Sequence, residues 1–555
     1  MTMTPNPAEL LFVPLGGAGE IGMNLNLYGY GRDGRHDWLM LDLGISFGDV
    51  AHPGIDVVMP DPRFIVERRD RLLALILTHA HEDHLGAVAY LWPRLGCPVY
   101  GTPFALGLLR RKLPETGLAD RVPLLPLPLT GDLELGPFRL SFIGLTHSIP
   151  EMQAVIIRTP AGTVLHSGDW KLDPDPVVGE RSDEAALTRL GGENVLALVC
   201  DSTNVFEPGH SGSEGELLAP MTEAIGQCVG RVIVTCFSSN IARLVTIGRA
   251  AAAHGRHLVI TGSSLRRTVA VAEECGYLGA IAPFIDERRA ASLPRDRLVI
   301  VSTGGQGEPN AALSKLAADE HPALSLDPGD RVIFSARVIP GNEAAIGRLQ
   351  NRLLRRGVEV LTFRHGHYHV SGHPCRDELV RMYQLVRPRI AVPVHGELRH
   401  LIEHARLAEA QQVRQAIIAE NGTVVRLWPE PAKAIDAVPT GRLAVDGNRL
   451  VPTDAEMLRE RVRCLYHGGC FLTVTMRRNG RLADVHISTV GLFERDDDQA
   501  VEVVEEAVRK AIDALAGASY NEDAVVCETV RLAVRRTLRQ ILDKRPVITV
   551  HVVRL

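Results

Sequence analysis

At 555 residues the chain exceeds what one hydrophobic core accommodates, and units of about 150 residues would number three or four. With 45% hydrophobic and 23% charged residues it holds no run of ~18 uninterrupted apolar residues, which excludes a helical membrane span. A net charge of −5 excludes recognition of a polyanion by a global excess of positive charge, so any such partner must meet a local patch.

Taken in chain order, Met1–Leu10 lacks the basic and apolar regions of a signal peptide, which predicts a cytoplasmic protein. Leu11–Leu15, Met23–Tyr28, Trp38–Leu43 and Leu72–Thr78 read as strands between turn residues, followed by Leu140–Leu145, Ala154–Arg158, Val164–Ser167 and Val195–Cys200. From near Val205 the pattern changes. Helical segments around Glu214–Gln227 and Arg243–His254 alternate with buried-strand runs Val232–Cys236, His257–Thr261, Leu298–Ser302 and Val332–Ala336, as in a parallel sheet with crossover helices. This reads as an insertion, because histidine-rich sequence resumes at His365–His373 and His395. Trp428–Pro452 is polar and weakly periodic, and reads as a linker. Beyond it, Phe471–Arg477 and Leu482–Ser488 are predicted strands, Ala500–Ala516 and Asp523–Asp543 helices, and Val547–Val553 a closing strand. The nine cysteines, scattered from Cys97 to Cys527, fit neither a disulfide framework nor a zinc ribbon and read as reduced, mostly buried thiols.

The sharpest signal is His79-Ala80-His81-Glu82-Asp83-His84, directly after the apolar run Leu72–Thr78. A loop at a strand's carboxyl end aims imidazoles and a carboxylate into one crevice. With 21 histidines in 555 residues, this arrangement arises by chance on the order of 10⁻³ times per chain, so the cluster is read as a metal site rather than as surface histidines. A hydrolytic centre needs more donors. His147, Asp169 and His395 each follow a strand-like run; singly each is a weak signal, and together they support one another.

The order of these residues resembles the metallo-β-lactamase superfamily. Asp201 in Cys200–Asn204, Ser302–Pro309, Ile339–Glu343, His369–His373 and His395-Gly396-Glu397 resemble its β-CASP nuclease branch, and most closely the bacterial ribonuclease J family; Gly305, Tyr368 and Pro374 depart from the family's pattern. The resemblance implies an α/β fold: a metallo-β-lactamase αββα sandwich over residues 9–208 and 360–430, an inserted β-CASP α/β domain over 209–359, a linker over 431–455 and a small α+β C-terminal domain over 456–555. It implies two divalent metal ions, one on His79, His81, His147 and Asp169, the other on Asp83, His84, Asp169 and His395, with Asp169 bridging and Asp42 orienting a ligand histidine. These donors suit zinc and tolerate manganese. Asp83, Asp201 and His373 are implied in catalysis, with His373 a candidate proton donor, and His369, Ser371, Gly372, His373 and Ser239 in binding an RNA 5′-phosphate.

The implied activity is 5′-to-3′ exonuclease and endonuclease hydrolysis of single-stranded RNA that leaves 5′-phosphates, in RNA maturation, rRNA processing and mRNA decay. The implied assembly is a homodimer or homotetramer through the C-terminal domain, away from membranes. Arg243, Arg266-Arg267, Arg337, Arg348, Arg352 and Arg355-Arg356 are candidates to line an RNA channel, the alternative being a solvated helix face. Arg531, Arg535, Arg536, Arg539, Lys544 and Arg545 suit an amphipathic helix used in assembly or ion pairing as well as RNA binding. Two other readings compete: a small-molecule metallohydrolase, which needs no insertion of this size, and a silent RNA-binding scaffold, which would have lost ligands.

Overall fold

The computed structural model describes residues 8–48, 51–128, 131–494, 498–515 and 520–555. The chain divides into two compact units, Met1–Ser46 with Met59–Thr440, and Phe47–Val58 with Gly441–Leu555. The segment Phe47–Val58, which sequence reading left inside residues 9–208, thus groups with the C-terminal part of the chain.

In the first unit, two sheets pack face to face. One has eight strands, in the order Lys433–Ala437, Thr423–Trp428, Glu9–Gly16, Leu25–Arg32, Arg35–Leu41, Leu72–Ile76, Val99–Gly101 and Leu124–Pro126. The other has seven, ending in the run Gly162–His166, Ala197–Asp201, Ile390–Val394 and Gln415–Ala416. Alternate residues meet between the sheets: Leu10, Phe12, Leu39, Leu41 and Ile76 from the first pack with Leu140, Val155, Val164, Val199 and Val392 from the second. The opposite face of the seven-stranded sheet lies under helices, with Leu165, Leu198 and Ala391 packing on Leu187 of helix Glu184–Gly191 and on Leu379 and Met382 of helix Arg376–Val386. Both faces being covered accounts for the nearly continuous apolar strands.

The insertion is a five-stranded parallel sheet, ordered His257–Thr261, Leu298–Ser302, Val232–Thr235, Arg331–Phe334 and Glu359–Leu361. Helices Ile241–Ala253, Ser263–Glu274, Ala312–Ala318 and Glu343–Arg355 accompany it, the last burying Ile346, Leu349 and Leu353 at helical spacing. The predicted helix Glu214–Gln227 is a short 3₁₀ turn, Glu214–Leu217, leading into the α-helix Leu218–Gly226.

The stretch read as a linker is structured. Lys433–Ala437 pairs through its backbone with Thr423–Trp428 while all five of its side chains are exposed, so it carries no apolar period. Arg442–Asp446 and Arg449–Pro452 form a hairpin whose two-residue loop has Gly447 at φ +59°. Helix Glu456–His467 also escaped sequence reading; its run of charges buries only Leu458.

In the second unit a three-stranded sheet, Leu482–Val490, Gly469–Met476 and Val547–Arg554, packs with helices Asp498–Asp513 and Asp523–Leu542. The latter buries Val526, Val530, Val534 and Leu538, one residue per turn, and turns Arg535, Arg536 and Arg539 to solvent. Ala516, the predicted end of the preceding helix, lies outside the described residues. All nine cysteines are free and six are buried. Among the described residues no helix is long and apolar enough to cross a membrane.

Candidate metal centre

Three adjacent parallel strands set the position of the site. Gly162–His166, Ala197–Asp201 and Ile390–Val394 run in register, so Asp169, Asp201 and His395 emerge side by side at their carboxyl ends. From the facing sheet, the end of Leu72–Ile76 delivers His79 to His84, while His147 follows Phe138–Gly144 of the same seven-stranded sheet as those three strands. Two of the residues involved, Asp42 and His395, hold left-handed backbone at φ +62° and +52°, a strained conformation for residues with a Cβ.

Donor atoms converge in three groups, of which the last two share Asp169 and His395: His79, His81 and His147; Asp83, His84, Asp169 and His395; and Asp169, Asp201, His373 and His395. Asp169 thus joins the second and third groups rather than the first. Hydrogen bonding fixes which ring nitrogen faces inward. Thr78 Oγ1 donates to Asp42 Oδ2 (2.8 Å), so it accepts from His79 Nδ1 (3.0 Å). His147 Nδ1 donates to the Gly372 carbonyl (2.6 Å), and His84 Nδ1 to Asp42 Oδ2 (2.7 Å). Thr203 Oγ1 donates to the His395 carbonyl (3.1 Å) and accepts from His395 Nδ1 (2.7 Å). In all four rings Nε2 is left pointing into the centre.

Those inward nitrogens lie close together. His79 Nε2 and His147 Nε2 each sit 3.0 Å from His81 Nδ1. One proton cannot satisfy both, whereas a shared cation can, and the donor set therefore fits a divalent metal. Across the site, His84 Nε2 lies 3.1 Å from Asp169 Oδ2, and His395 Nε2 lies 3.3 Å from Asp83 Oδ2 and 3.6 Å from Asp169 Oδ2.

Electrostatics separate the two sides. Burial drives the His79 and His147 imidazoles well below their ordinary value and His81 down to about 4, leaving neutral nitrogen donors. Burial pulls His84 and His395 the same way, but the carboxylates overcome it: Asp169 with Asp42 and Asp83 lifts His84 well above its ordinary value, and Asp169, Asp201 and Asp83 lift His395 to about 10. Burial opposes ionisation of Asp83 and Asp169, yet the neighbouring imidazoles hold both well below the usual carboxylate range. Positive charge is thus stabilised between these carboxylates.

His373 joins the same cluster. Its Nδ1 donates to Asp201 Oδ2 (2.8 Å) and its ring stacks on His395 at 5.4 Å. Ser371, Gly372 and His369 occupy the same loop, with Gly372 against His147 and His369 Nδ1 3.5 Å from Arg243 Nη1. Ser239 is half-buried, no hydrogen bond joins it to this loop among the described residues, and helix Ile241–Ala253 is capped by Asn240.

The predicted arginine channel separates into different roles. Arg243 is wholly buried, pairing with Glu214 and donating to Ser335 and to the Tyr368 carbonyl, so it cannot line a channel. Arg266, Arg267 and Arg356 are engaged by Glu287, Glu115 and Asp319. Arg348, Arg352 and Arg355 form an exposed stripe along helix Glu343–Arg355. Sequence reasoning missed Asn24, Thr78 and Thr203, which hydrogen-bond ligand side chains; only Thr78, next to His79, carried a local sign.

Comparison with known proteins follows the same division of the chain. Residues 33–218 match the metallo-beta-lactamase superfamily, 229–353 the family described as Ribonuclease J, beta-CASP domain, 364–419 the Zn-dependent metallo-hydrolase RNA specificity domain, and 456–555 the Ribonuclease J C-terminal domain. The sequence is 42% identical to Ribonuclease J of Sinorhizobium meliloti, over 99% of this chain and 98% of that one. It is 37% identical to Ribonuclease J of Mycolicibacterium smegmatis, over 99% and 98% of the two chains, and 38% identical to that of Thermus thermophilus, over 81% and 79%. A crystal structure of an Enterococcus faecalis protein of unknown function shares the fold, with a TM-score of 0.52 at 17% identity, covering 75% of this chain and all of that one.

Proposed function

Because the chain belongs to the ribonuclease J family and is a metal-dependent ribonuclease, we propose that it hydrolyses single-stranded RNA both from the 5′ end and internally, leaving 5′-phosphates, in RNA maturation and mRNA decay. The observation that carries this reading is the paired donor set: three neutral imidazoles on one side, and Asp83, His84, Asp169 and His395 on the other. His79, His81 and His147 would hold one divalent ion and the carboxylate-containing group a second, zinc or manganese. Bound there, the cations supply charge that polarises a phosphodiester oxygen and makes water more acidic.

The chain's own residues do the rest. Thr78, Asp42, Gly372 and Thr203 keep four ligand rings in the tautomer that presents Nε2. Asp201 holds His373 by Nδ1, which turns Nε2 of that ring outward as the proton donor to a leaving 3′-oxygen. The loop His369–Gly372 offers donors to a 5′-terminal monophosphate, so that the enzyme reads an RNA end as well as cutting within a strand. The nine free cysteines suit work in the cytoplasm, and residues 456–555, which hold none of the proposed ligands, would carry self-association. Cleavage of end-labelled RNA across metals, with metal content measured in parallel, tests the reading: Asp83→Ala is expected to lose metal and hydrolysis together. Full cleavage by a metal-stripped preparation would sink it.

A further inference from the structure

Asn204 is 3% exposed and lies three residues past Asp201, where it spans three partners. Its side-chain orientation is fixed by chemistry. Arg337 Nη1 lies 2.8 Å from the amide oxygen, and a guanidinium can only donate. The amide nitrogen lies 3.0 Å from the His373 carbonyl, which can only accept. A flipped amide would set donor against donor at one end and acceptor against acceptor at the other.

That orientation decides the polarity of a neighbouring hydroxyl. Asn204 Nδ2 also lies 2.8 Å from Ser371 Oγ, which must therefore accept, and the backbone N–H of His373 donates to the same oxygen at 3.2 Å. A serine hydroxyl has two lone pairs and one proton. With both lone pairs used, only the O–H is left to act, and among the described residues nothing accepts it. On the same loop, His369 Nδ1 lies 3.5 Å from Arg243 Nη1. Ligands that take hydrogen bonds and return none are anions, and for a chain that cleaves RNA the anion class is a phosphate.

We propose that Asn204, anchored by Arg337, is a positioning residue that locks the Ser371 hydroxyl as a donor to the 5′-terminal phosphate of RNA. The proposal rests on the phosphate-pocket reading above and extends it to residues on two domains: Asn204 belongs to the metallo-β-lactamase part and Arg337 to the insertion. Arg337 is 52% exposed, and its other terminal nitrogen pairs with Glu207 at 2.7 Å, so the guanidinium is held in place without being buried.

The test uses the full-length, metal-loaded enzyme with matched RNAs bearing a 5′-monophosphate or a 5′-hydroxyl. Asn204→Asp is isosteric and retains an acceptor for Arg337, but it presents an acceptor to Ser371 and draws the hydroxyl proton away from the ligand. The expected result is a rise of about tenfold in the ratio of KM on monophosphate RNA to KM on hydroxyl RNA, the loss of one charge-assisted hydrogen bond, while the ratio of kcat values stays within about twofold. Arg337→Met, at a half-exposed position where folding is not at stake, shifts the KM ratio in the same direction. In the Asn204→Asp background, Ser371→Ala adds nothing further to the ratio, because both act on one donor. Ser371→Ala shifting the ratio while Asn204→Asp and Arg337→Met do not, or full additivity in the double variant, overturns the role of Asn204 and leaves the pocket standing. Ser371→Ala with equal effects on both RNAs overturns the pocket itself, and this proposal with it.

Discussion

The Nδ1 proton of His147 is donated to the carbonyl oxygen of Gly372 across 2.6 Å, joining a candidate metal ligand to the loop that carries Ser371 and His373. A disturbance at either end therefore reaches the other. A Cβ on Gly372 would stand 2.9 Å from His147 Nδ1 and Cε1 and 2.8 Å from Ser148 Oγ, closer than real contacts allow. Gly372→Ala is expected to lower metal affinity about 10- to 100-fold, the range for lost outer partners of ligands, and to weaken the monophosphate preference as well. Wild-type metal affinity in a titration would show that the link is dispensable.

Thr203 is the acceptor that fixes the His395 tautomer. Thr203→Val keeps the shape and removes that acceptor, so metal affinity is expected to drop about 10- to 100-fold while the unfolding midpoint changes little. Competition with a chelator measures the first and denaturant titration the second. An unaltered chelator profile counts against the assignment.

Asp169 sits at the junction of two donor groups. Asp169→Ala, like His81→Ala, is expected to abolish hydrolysis while leaving RNA binding within about tenfold, because ligands activate water and other surfaces hold the strand. Retention of more than a few per cent of activity by the Asp169 variant under limiting metal contradicts a role for Asp169 in holding metal.

Arg243 and Glu214 form an ion pair that is 0% and 3% exposed. Removing one partner leaves the other charge buried, so Arg243→Met is expected to cost about 3–5 kcal/mol of stability. A channel arginine would behave oppositely, weakening RNA binding and its salt dependence with little effect on unfolding. Comparing the two measurements on one variant decides between them.

The first compact unit ends at Thr440, and every proposed ligand precedes that point. A chain ending there is expected to keep metal binding while its sedimenting mass falls to that of a monomer. An oligomer of unchanged stoichiometry after truncation removes the C-terminal domain from the assembly.

What could be read without coordinates follows from locality. Strands buried on both faces must be apolar along their length, so Leu72–Ile76 and Leu298–Ser302 stood out, and the His79–His84 cluster did so because its donors are contiguous. Elements with little burial gave no such signal: Lys433–Ala437 is an exposed edge strand and Glu456–His467 buries one leucine. The sequence by itself therefore determined the two αβ layers, the inserted parallel sheet and the candidate donors. Only the tertiary structure decided which nitrogen each histidine presents, that Arg243 is a buried brace, and that Asn204 sets the polarity of Ser371. The reason is that a hydrogen bond fixes a tautomer through its geometry, and these partners are 225 residues apart for His147 and Gly372, 192 for Thr203 and His395 and 167 for Asn204 and Ser371, separations that leave no periodic trace in the chain.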